Sequence, residues 1–148
     1  MAFSFSLQSV LRFRQGTERE RLLLLQAANL RVAEVRSQIE ALGRDRADLS
    51  AATARELSAG VHAAQLHFND FCRSASEQRQ EKLQEELLQC EATRLIRSQE
   101  FQQARQQREI LERLRDQQFD LYHRQQERQN QRQLDDILLL HRAFLRHG

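Results

Sequence analysis

Several residue types on which ordinary globular domains depend are absent or scarce in this chain. Its 148 residues include no Pro, no Trp, four Gly and one Tyr. Because turns draw mainly on Gly and Pro, this scarcity excludes an all-β sandwich or barrel and a doubly wound α/β fold. Two cysteines are too few for a disulfide scaffold. A long-helix or coiled-coil protein remains, and an unfolded chain is the competitor because 30% of the residues are charged.

Charge of one sign is also lacking. The formal net charge is +2, from 23 basic and 21 acidic residues whose signs are interspersed. A nucleic-acid-binding protein usually carries a basic stripe or block. The charge pattern therefore predicts no nucleic-acid partner, and the balance of charges, together with periodic leucines, argues against disorder.

The sequence has no disulfide, export or membrane-spanning signal. Cys72 and Cys90 lie on one predicted helix, roughly 27 Å apart at a rise of about 1.5 Å per residue, which is beyond disulfide reach. We expect them to be reduced thiols of a cytoplasmic protein. No positive side chain precedes the apolar residues at the N-terminus, as a secretory signal would require. The longest later uncharged run, residues 22–30, is too short to cross a bilayer. We expect a soluble protein that reaches a membrane only through partners.

The strongest pattern is a heptad seam in the first third of the chain. Its apolar residues follow alternating steps of three and four, with Arg46 in the one polar slot: Leu25, Ala28, Val32, Val35, Ile39, Leu42 and Leu49. This spacing predicts one apolar stripe on a helix. Leu7 and Leu11 continue the register backwards, with polar residues between them and the seam. Thr17 and Glu20 form a capping-box pattern at which the helix could restart. Because no Pro or turn cluster supports a break, we expect the helix to run through Gly16 and Gly43.

The best turn candidate is Ser58-Ala59-Gly60, because Gly can adopt the left-handed conformation that ends a helix. The sequence therefore predicts an all-α fold: a long two-helix antiparallel coiled-coil hairpin with an unpaired C-terminal extension of helix 2. We expect residues 1–148 to form a single coiled-coil domain, with helix 1 at about 4–57, the turn at about 58–61 and helix 2 at about 62–145.

The predicted stripe on helix 2 is less regular than the seam on helix 1. It begins with Val61, Ala64, Phe68, Phe71 and Ala75, and it resumes after a stutter. The later members are Leu83, Leu87, Cys90, Phe101, Ala104, Leu111, Leu114 and Leu121. If the turn is centred on Gly60, residue i faces residue 120 − i. The expected pairs are Leu25 with Leu95, Leu49 with Phe71, and Leu11 with the neighbourhood of Ile110.

On this register helix 2 has no partner beyond about residue 115. Residues 123–133 contain no apolar side chain, whereas residues 134–145 are strongly apolar again. An apolar helix face without an intramolecular partner usually marks a binding site. We interpret this segment as a partner-binding tail, with folding back or dimerisation as the alternatives.

Catalytic and cofactor motifs are missing from the sequence. There is no phosphate-binding loop, dinucleotide fingerprint, HExxH, CxxC or GxSxG element. His62 and His67 fall on different helix faces, and so do Asp135 and Asp136. We therefore predict a protein that is not an enzyme, with no catalytic residue, metal site or cofactor.

Three short stretches together resemble the FliJ family, the coiled-coil component of the bacterial flagellar type III export apparatus. The opening Phe5-x-Leu7-x-x-Val10-Leu11-x-x-Arg14, followed by Glu18 and Glu20, resembles the opening pattern of the family. Phe68-x-x-Phe71 resembles its aromatic pair after the turn. Gln133-Leu134-Asp135-Asp136 resembles the end of its charged run. The likeness covers nearly the whole chain at matching length.

This resemblance implies a stalk similar in shape to the central shaft of rotary ATPases. Members insert into the pore of the hexameric export ATPase FliI, promote its ring assembly, contact the cytoplasmic domain of the export gate protein FlhA, and handle export chaperones. The resemblance further implies a protein that is monomeric alone and cytoplasmic. It would lie peripherally at the inner membrane, at the flagellar base, through its partners.

The resemblance also implies two binding surfaces. The turn surface would contact the export gate and comprises Gln38, Leu42, Asp45, Leu49, Phe71, Ala75, Gln78 and Lys82. The terminal surface would contact the ATPase and comprises Leu7, Val10, Leu11, Arg14, Leu134, Ile137, Leu138 and Phe144. Asp45 and Leu49 depart from the family pattern, which has aromatic side chains there, and Leu42, Leu49 and Phe71 also belong to the predicted seam.

Other readings of the sequence stay open at this point. The same shape suits the equivalent stalk of a virulence type III secretion system. A generic coiled-coil scaffold that homodimerises through its long helix has the same composition. A nucleic-acid-binding protein and an unrecognised enzyme are the remaining alternatives.

Overall fold

The computed structural model describes residues 2–60 and 62–147, and two long helices account for most of them. Helix α1 spans Gln8–Ala59 and helix α2 spans Ala63–His147. The described residues contain no strand, and the helices pack as an antiparallel hairpin. The predicted fold class is therefore confirmed. Val61, which we placed in the turn and at the start of the helix 2 stripe, lies outside the described residues.

The helix boundaries differ from the predicted ones by a few residues. α1 begins at Gln8 rather than at about residue 4, because the preceding segment is not helical. It passes through Gly16 and Gly43 without a break, as predicted. Gly60 ends it with a φ of 86°, the left-handed conformation that Gly adopts without a Cβ penalty.

The chain divides into two compact units, each of which contains a stretch of both helices. One unit, here called the terminal unit, comprises Met1–Glu18 and Gln103–Gly148. The other, here called the turn unit, comprises Arg19–Gln102. The single-domain organisation stays a prediction.

In the turn unit the predicted α1 seam is confirmed. Val32 and Val35 are buried, and every other predicted seam residue is half-buried, including Arg46 in the polar slot. Leu83 on α2 is buried at the same interface, with Leu87 and Cys90 half-buried beside it. Burial of a Val or Leu side chain stabilises a fold by about 1.5–3 kcal/mol, so this seam carries the packing of the unit.

Ion pairs across the turn unit confirm the antiparallel direction of the two helices. Arg21 pairs with Glu100 at 3.3 Å, and Arg46 pairs with Glu77 at 3.8 Å. The partners in this unit fall on both sides of the positions that 120 − i predicts, by one to seven residues, because long arginine side chains reach along the helices. Each exposed pair contributes only about 0–1 kcal/mol.

The predicted stripe on the first four turns of α2 is wrong by one residue. Ala64, Phe68, Phe71 and Ala75 are exposed, whereas the half-buried positions are Asn69, Cys72 and Ser76. The reason is that Asn69, Ser76, Leu83 and Cys90 follow one another at intervals of seven residues and so occupy one continuous face of α2. The pairing of Leu49 with Phe71 is therefore wrong. So is that of Leu25 with Leu95, which is exposed.

In the terminal unit an aromatic segment ahead of α1 packs on α2. The Phe3 ring lies 5.3 Å from Phe119 and 5.5 Å from Tyr122, and Phe5 is buried. This segment extends the covered part of α2 beyond residue 115, where the sequence predicted that pairing would end. It also explains why α1 begins late, because the burial of Phe5 and the partial burial of Phe3 offset the loss of one helical turn.

The remaining stripe predictions in the terminal unit have mixed outcomes. Leu11 and Ala104 are buried, and Leu111 and Leu114 are half-buried, as predicted. Leu121 and Ile110 are exposed, but Leu111 beside Ile110 is not. The hydrogen bond between Arg14 and Gln107 agrees with the expected position of Leu11 opposite the neighbourhood of Ile110.

Candidate interaction surfaces

The α2 half of the predicted turn surface forms one exposed stripe. Phe71, Ala75, Gln78 and Lys82 follow steps of four, three and four, which place them on one side of a helix. All four are exposed, and Phe71 is 71% exposed. Exposure of a large aromatic side chain is costly in water, so this stripe is available for a partner.

The α1 residues of the turn surface differ in exposure, because some face solvent and others pack the hairpin. Asp45 is exposed. Leu42 and Leu49 are half-buried in the seam, and Gln38 is half-buried as well. Leu42 and Leu49 therefore pack the hairpin, and their exposed parts only border the turn surface.

Phe68 was missed as a surface residue and belongs with the α2 stripe. The sequence assigned it, like Phe71, to seam packing, yet it is 62% exposed one helical turn before Phe71. Counting heptads backwards from Leu83 and Cys90 would have revealed this, because that count arrives at Asn69 rather than at Phe68.

A groove opens between the helices of the turn unit close to Gly60. Its volume is about 720 Å³. Small and polar side chains line much of it, with Leu49, Leu57 and Leu66 among the apolar ones. Asn69 and Ser76 also line it, because they occupy seam positions that larger apolar side chains would fill.

The α1 half of the terminal surface is mainly structural. Leu11 is fully buried, and an Nη atom of Arg14 donates to the amide oxygen of Gln107 at 2.7 Å. The Leu7 and Val10 side chains are little more than a third exposed. The Leu11 side chain therefore packs the hairpin, and its contact with the ATPase stays a prediction.

The α2 half of the terminal surface is a fully exposed tail. Every described side chain from residue 127 to residue 147 is exposed. The predicted contact residues Leu134, Ile137, Leu138 and Phe144 are more than half exposed, and Leu139, Leu140 and Leu145 extend the same apolar segment. A tail with this much apolar surface in water is typical of a site that binds another macromolecule.

A charged cluster holds the two helices of the terminal unit together. Arg108 on α2 forms an ion pair with Glu18 on α1. On its own helix it pairs with Glu112 at 2.6 Å and with Glu109 at 3.9 Å. The hydrogen bond to Glu18 and the charges of the three glutamates raise the pKa of Arg108, although partial desolvation opposes them. In the turn unit the hydrogen bond to Glu34 and the charge of Glu86 likewise raise the pKa of Arg31.

The described residues contain neither a metal cluster nor a membrane span. Within residues 2–60 and 62–147, no group of three or more His, Cys, Asp or Glu side chains could hold a metal ion. No helix in the same part of the chain is long and apolar enough to cross a bilayer. Cys72 and Cys90 are free thiols.

Comparison with known proteins agrees with this description. The family model described as flagellar FliJ protein matches residues 3–148. Comparison with curated proteins and with solved structures gives no match. Because the family match spans nearly the whole chain, this protein belongs to the FliJ family and is a component of the flagellar export apparatus.

Proposed function

We propose that this protein is the non-catalytic central stalk of the hexameric export ATPase FliI. In this role it promotes assembly of the ring, and it links the ring to the cytoplasmic domain of the export gate protein FlhA and to export chaperones. The protein would lie at the cytoplasmic face of the inner membrane through these partners. Nucleotide hydrolysis would belong to FliI.

The exposed tail is the observation that supports this role most strongly. Seven of its apolar side chains, in residues 134–145, are more than half exposed. Burial of each such side chain in a partner would contribute about 1–2 kcal/mol, so the segment can supply most of the affinity of a stable complex. Five arginines between residues 124 and 146 accompany it, and a pore lined with carboxylates would complement them.

The test is to titrate the full chain into the FliI of the same organism while following ATP hydrolysis and ring formation. We expect both to rise and to saturate near one copy per six ATPase subunits. The variant Ile137→Ser/Phe144→Ser should lose most of the stimulation, since both side chains are exposed in the tail. The matched control is Leu88→Ser, because Leu88 is equally apolar and exposed but belongs to neither surface.

The gate contact has a separate test. Phe71→Ala should weaken binding to the FlhA cytoplasmic domain by about 10-fold or more, which is typical of an exposed aromatic anchor. It should leave ATPase stimulation unchanged. Because Phe71 is 71% exposed, the melting temperature of the free protein should stay the same. Unchanged binding would remove Phe71 from the gate contact.

A homodimeric scaffold is the second candidate, and the same exposed tail favours it. A tail that pairs with the tail of another copy would bury the same side chains. Solution mass separates the two functions, because the stalk should be monomeric alone. A dimer that dissociates when the chain is truncated after Gln133 would favour the scaffold.

A further inference from the structure

The part of α2 nearest the turn carries two apolar patterns that differ by one residue. The pattern that faces α1 runs through Asn69, Cys72 and Ser76 and continues at whole heptads to Leu83 and Cys90. The exposed pattern is Phe68, Phe71 and Ala75. One residue of α-helix corresponds to a rotation of about 100°. A rotation of this segment about its own axis by that amount would exchange the two patterns.

In the observed position, the interface between α1 and this part of α2 lacks apolar packing. The groove of about 720 Å³ lies beside Asn69 and Ser76, with Leu57 and Leu66 on its walls. Phe68, meanwhile, lies outside the seam. A coiled-coil seam is normally filled by apolar side chains at close packing, so the more apolar pattern would fill this interface better than the one that occupies it.

The exchanged position has a cost of its own. Leu83 and Cys90 would keep their places, so the helix would need a stutter between Ala75 and Leu83. The hydrogen bond that the Asn69 side-chain amide donates to the Glu56 carboxylate, at 3.3 Å, would also break. The observed position therefore keeps the heptad continuous but leaves the phenylalanines exposed, and the exchanged position buries the phenylalanines but interrupts the heptad.

We propose that residues 63–78 of α2 exchange between these two rotational positions. One position exposes Phe68 and Phe71, and the other inserts them into the seam. A partner that binds the phenylalanines selects the exposed position. The regulation of the gate contact by this exchange rests on the proposed function, whereas the exchange itself is a property of the isolated protein.

The two native cysteines report the exchange. Cys72 is half-buried in the observed position and would turn towards solvent in the exchanged one. Cys90 lies beyond the stutter and would keep its surroundings, so it serves as an internal reference. The experiment measures the rate at which a neutral maleimide labels each thiol in the full-length protein, by mass spectrometry of the two peptides.

Two variants should each reduce the population of the exchanged position, one by stabilising the observed position and the other by destabilising the exchanged one. Asn69→Leu/Ser76→Leu fills the observed seam, and Phe68→Gln/Phe71→Gln removes the apolar gain of the exchanged position. Both should slow the labelling of Cys72 by about 5-fold or more and leave Cys90 within about 2-fold. The phenylalanine variant changes exposed side chains, so it should fold even if the leucine variant does not.

The same variants also show how the proposal fails. The leucines could shield Cys72 directly, but replacing phenylalanine with the less bulky glutamine cannot. Faster or unchanged labelling of Cys72 in Phe68→Gln/Phe71→Gln therefore overturns the proposal. An equal change at both cysteines would indicate opening of the whole hairpin and would overturn it too. None of these measurements involves FliI or FlhA, so their outcome is independent of the proposed stalk function.

Discussion

Leu83 and Leu88 offer a direct test of which face of α2 packs the hairpin. They lie five residues apart on one helix, yet Leu83 is 2% exposed and Leu88 is 68% exposed. Truncating either to alanine removes the same three carbon atoms. The two variants therefore have identical chemistry and differ only in surroundings.

The expected magnitudes follow from burial. At about 0.8 kcal/mol per buried carbon, Leu83→Ala should lower the free energy of unfolding by about 2–3 kcal/mol, with a small further cost for the cavity. Leu88→Ala loses only about a third of that burial, and the higher helix propensity of alanine offsets part of the loss. We expect a change within about 0.7 kcal/mol.

The assay is urea unfolding followed by far-UV circular dichroism. Leu83→Ala should shift the midpoint downwards at constant m-value, and Leu88→Ala should leave it nearly unchanged. Equal losses in the two variants, or a larger loss in Leu88→Ala, would refute the assigned seam.

Further predictions concern helix content, the seam, the glycines and the charged cluster. Circular dichroism should report more than about 80% helix, and a value below half would contradict the hairpin. Val35→Asp/Ile39→Asp should unfold the protein because it introduces charge into the seam; unchanged thermal stability would show that the register is wrong. Gly43→Ala should stabilise by about 0.5–1 kcal/mol, since an added methyl group meets open space there, whereas Gly60→Ala should destabilise by about 1 kcal/mol because of its positive φ. Because neighbouring glutamates raise the pKa of Arg108, its guanidinium is charged in both folded and unfolded states at neutral pH. The stability that it contributes would be lost only above its already high pKa, so deprotonation of this arginine should produce no change in melting temperature between about pH 7 and pH 10.

The sequence predicted the parts of the fold in which pattern and packing agree. The α1 seam from Leu25 to Leu49 could be read completely, because its apolar residues keep the heptad spacing over more than three heptads with a single polar slot at Arg46. Gly60 could be assigned as the turn for a similar reason, since only Gly enters the left-handed region without strain. The exposed tail followed from the length of α2, which exceeds the part that α1 can cover.

The sequence failed where two local preferences compete. Near the turn, hydrophobicity favoured Phe68 and Phe71 in the seam, but continuity with Leu83 favoured Asn69 and Ser76. Hydrophobicity is a property of each residue by itself, whereas the continuity of a heptad face depends on the packing of the whole helix. The contact of Phe3 with Phe119 was also beyond prediction, because nothing in the local pattern indicates where a non-helical segment will pack.

The two binding surfaces could likewise be predicted only in part from the sequence. Exposure of the tail residues could be predicted, since no heptad partner remained for them. The burial of Leu11 could not be separated from a binding role, because seam residues and contact residues have the same apolar character.

The measurement that tests the central claim most directly is the mass of the complex with FliI. Native mass spectrometry of the assembled ATPase, with nucleotide and an excess of this protein, counts the copies bound. The stalk function predicts one copy on six FliI subunits, and none when the chain ends after Gln133. Six copies per ring, or the same occupancy without the tail, would contradict it.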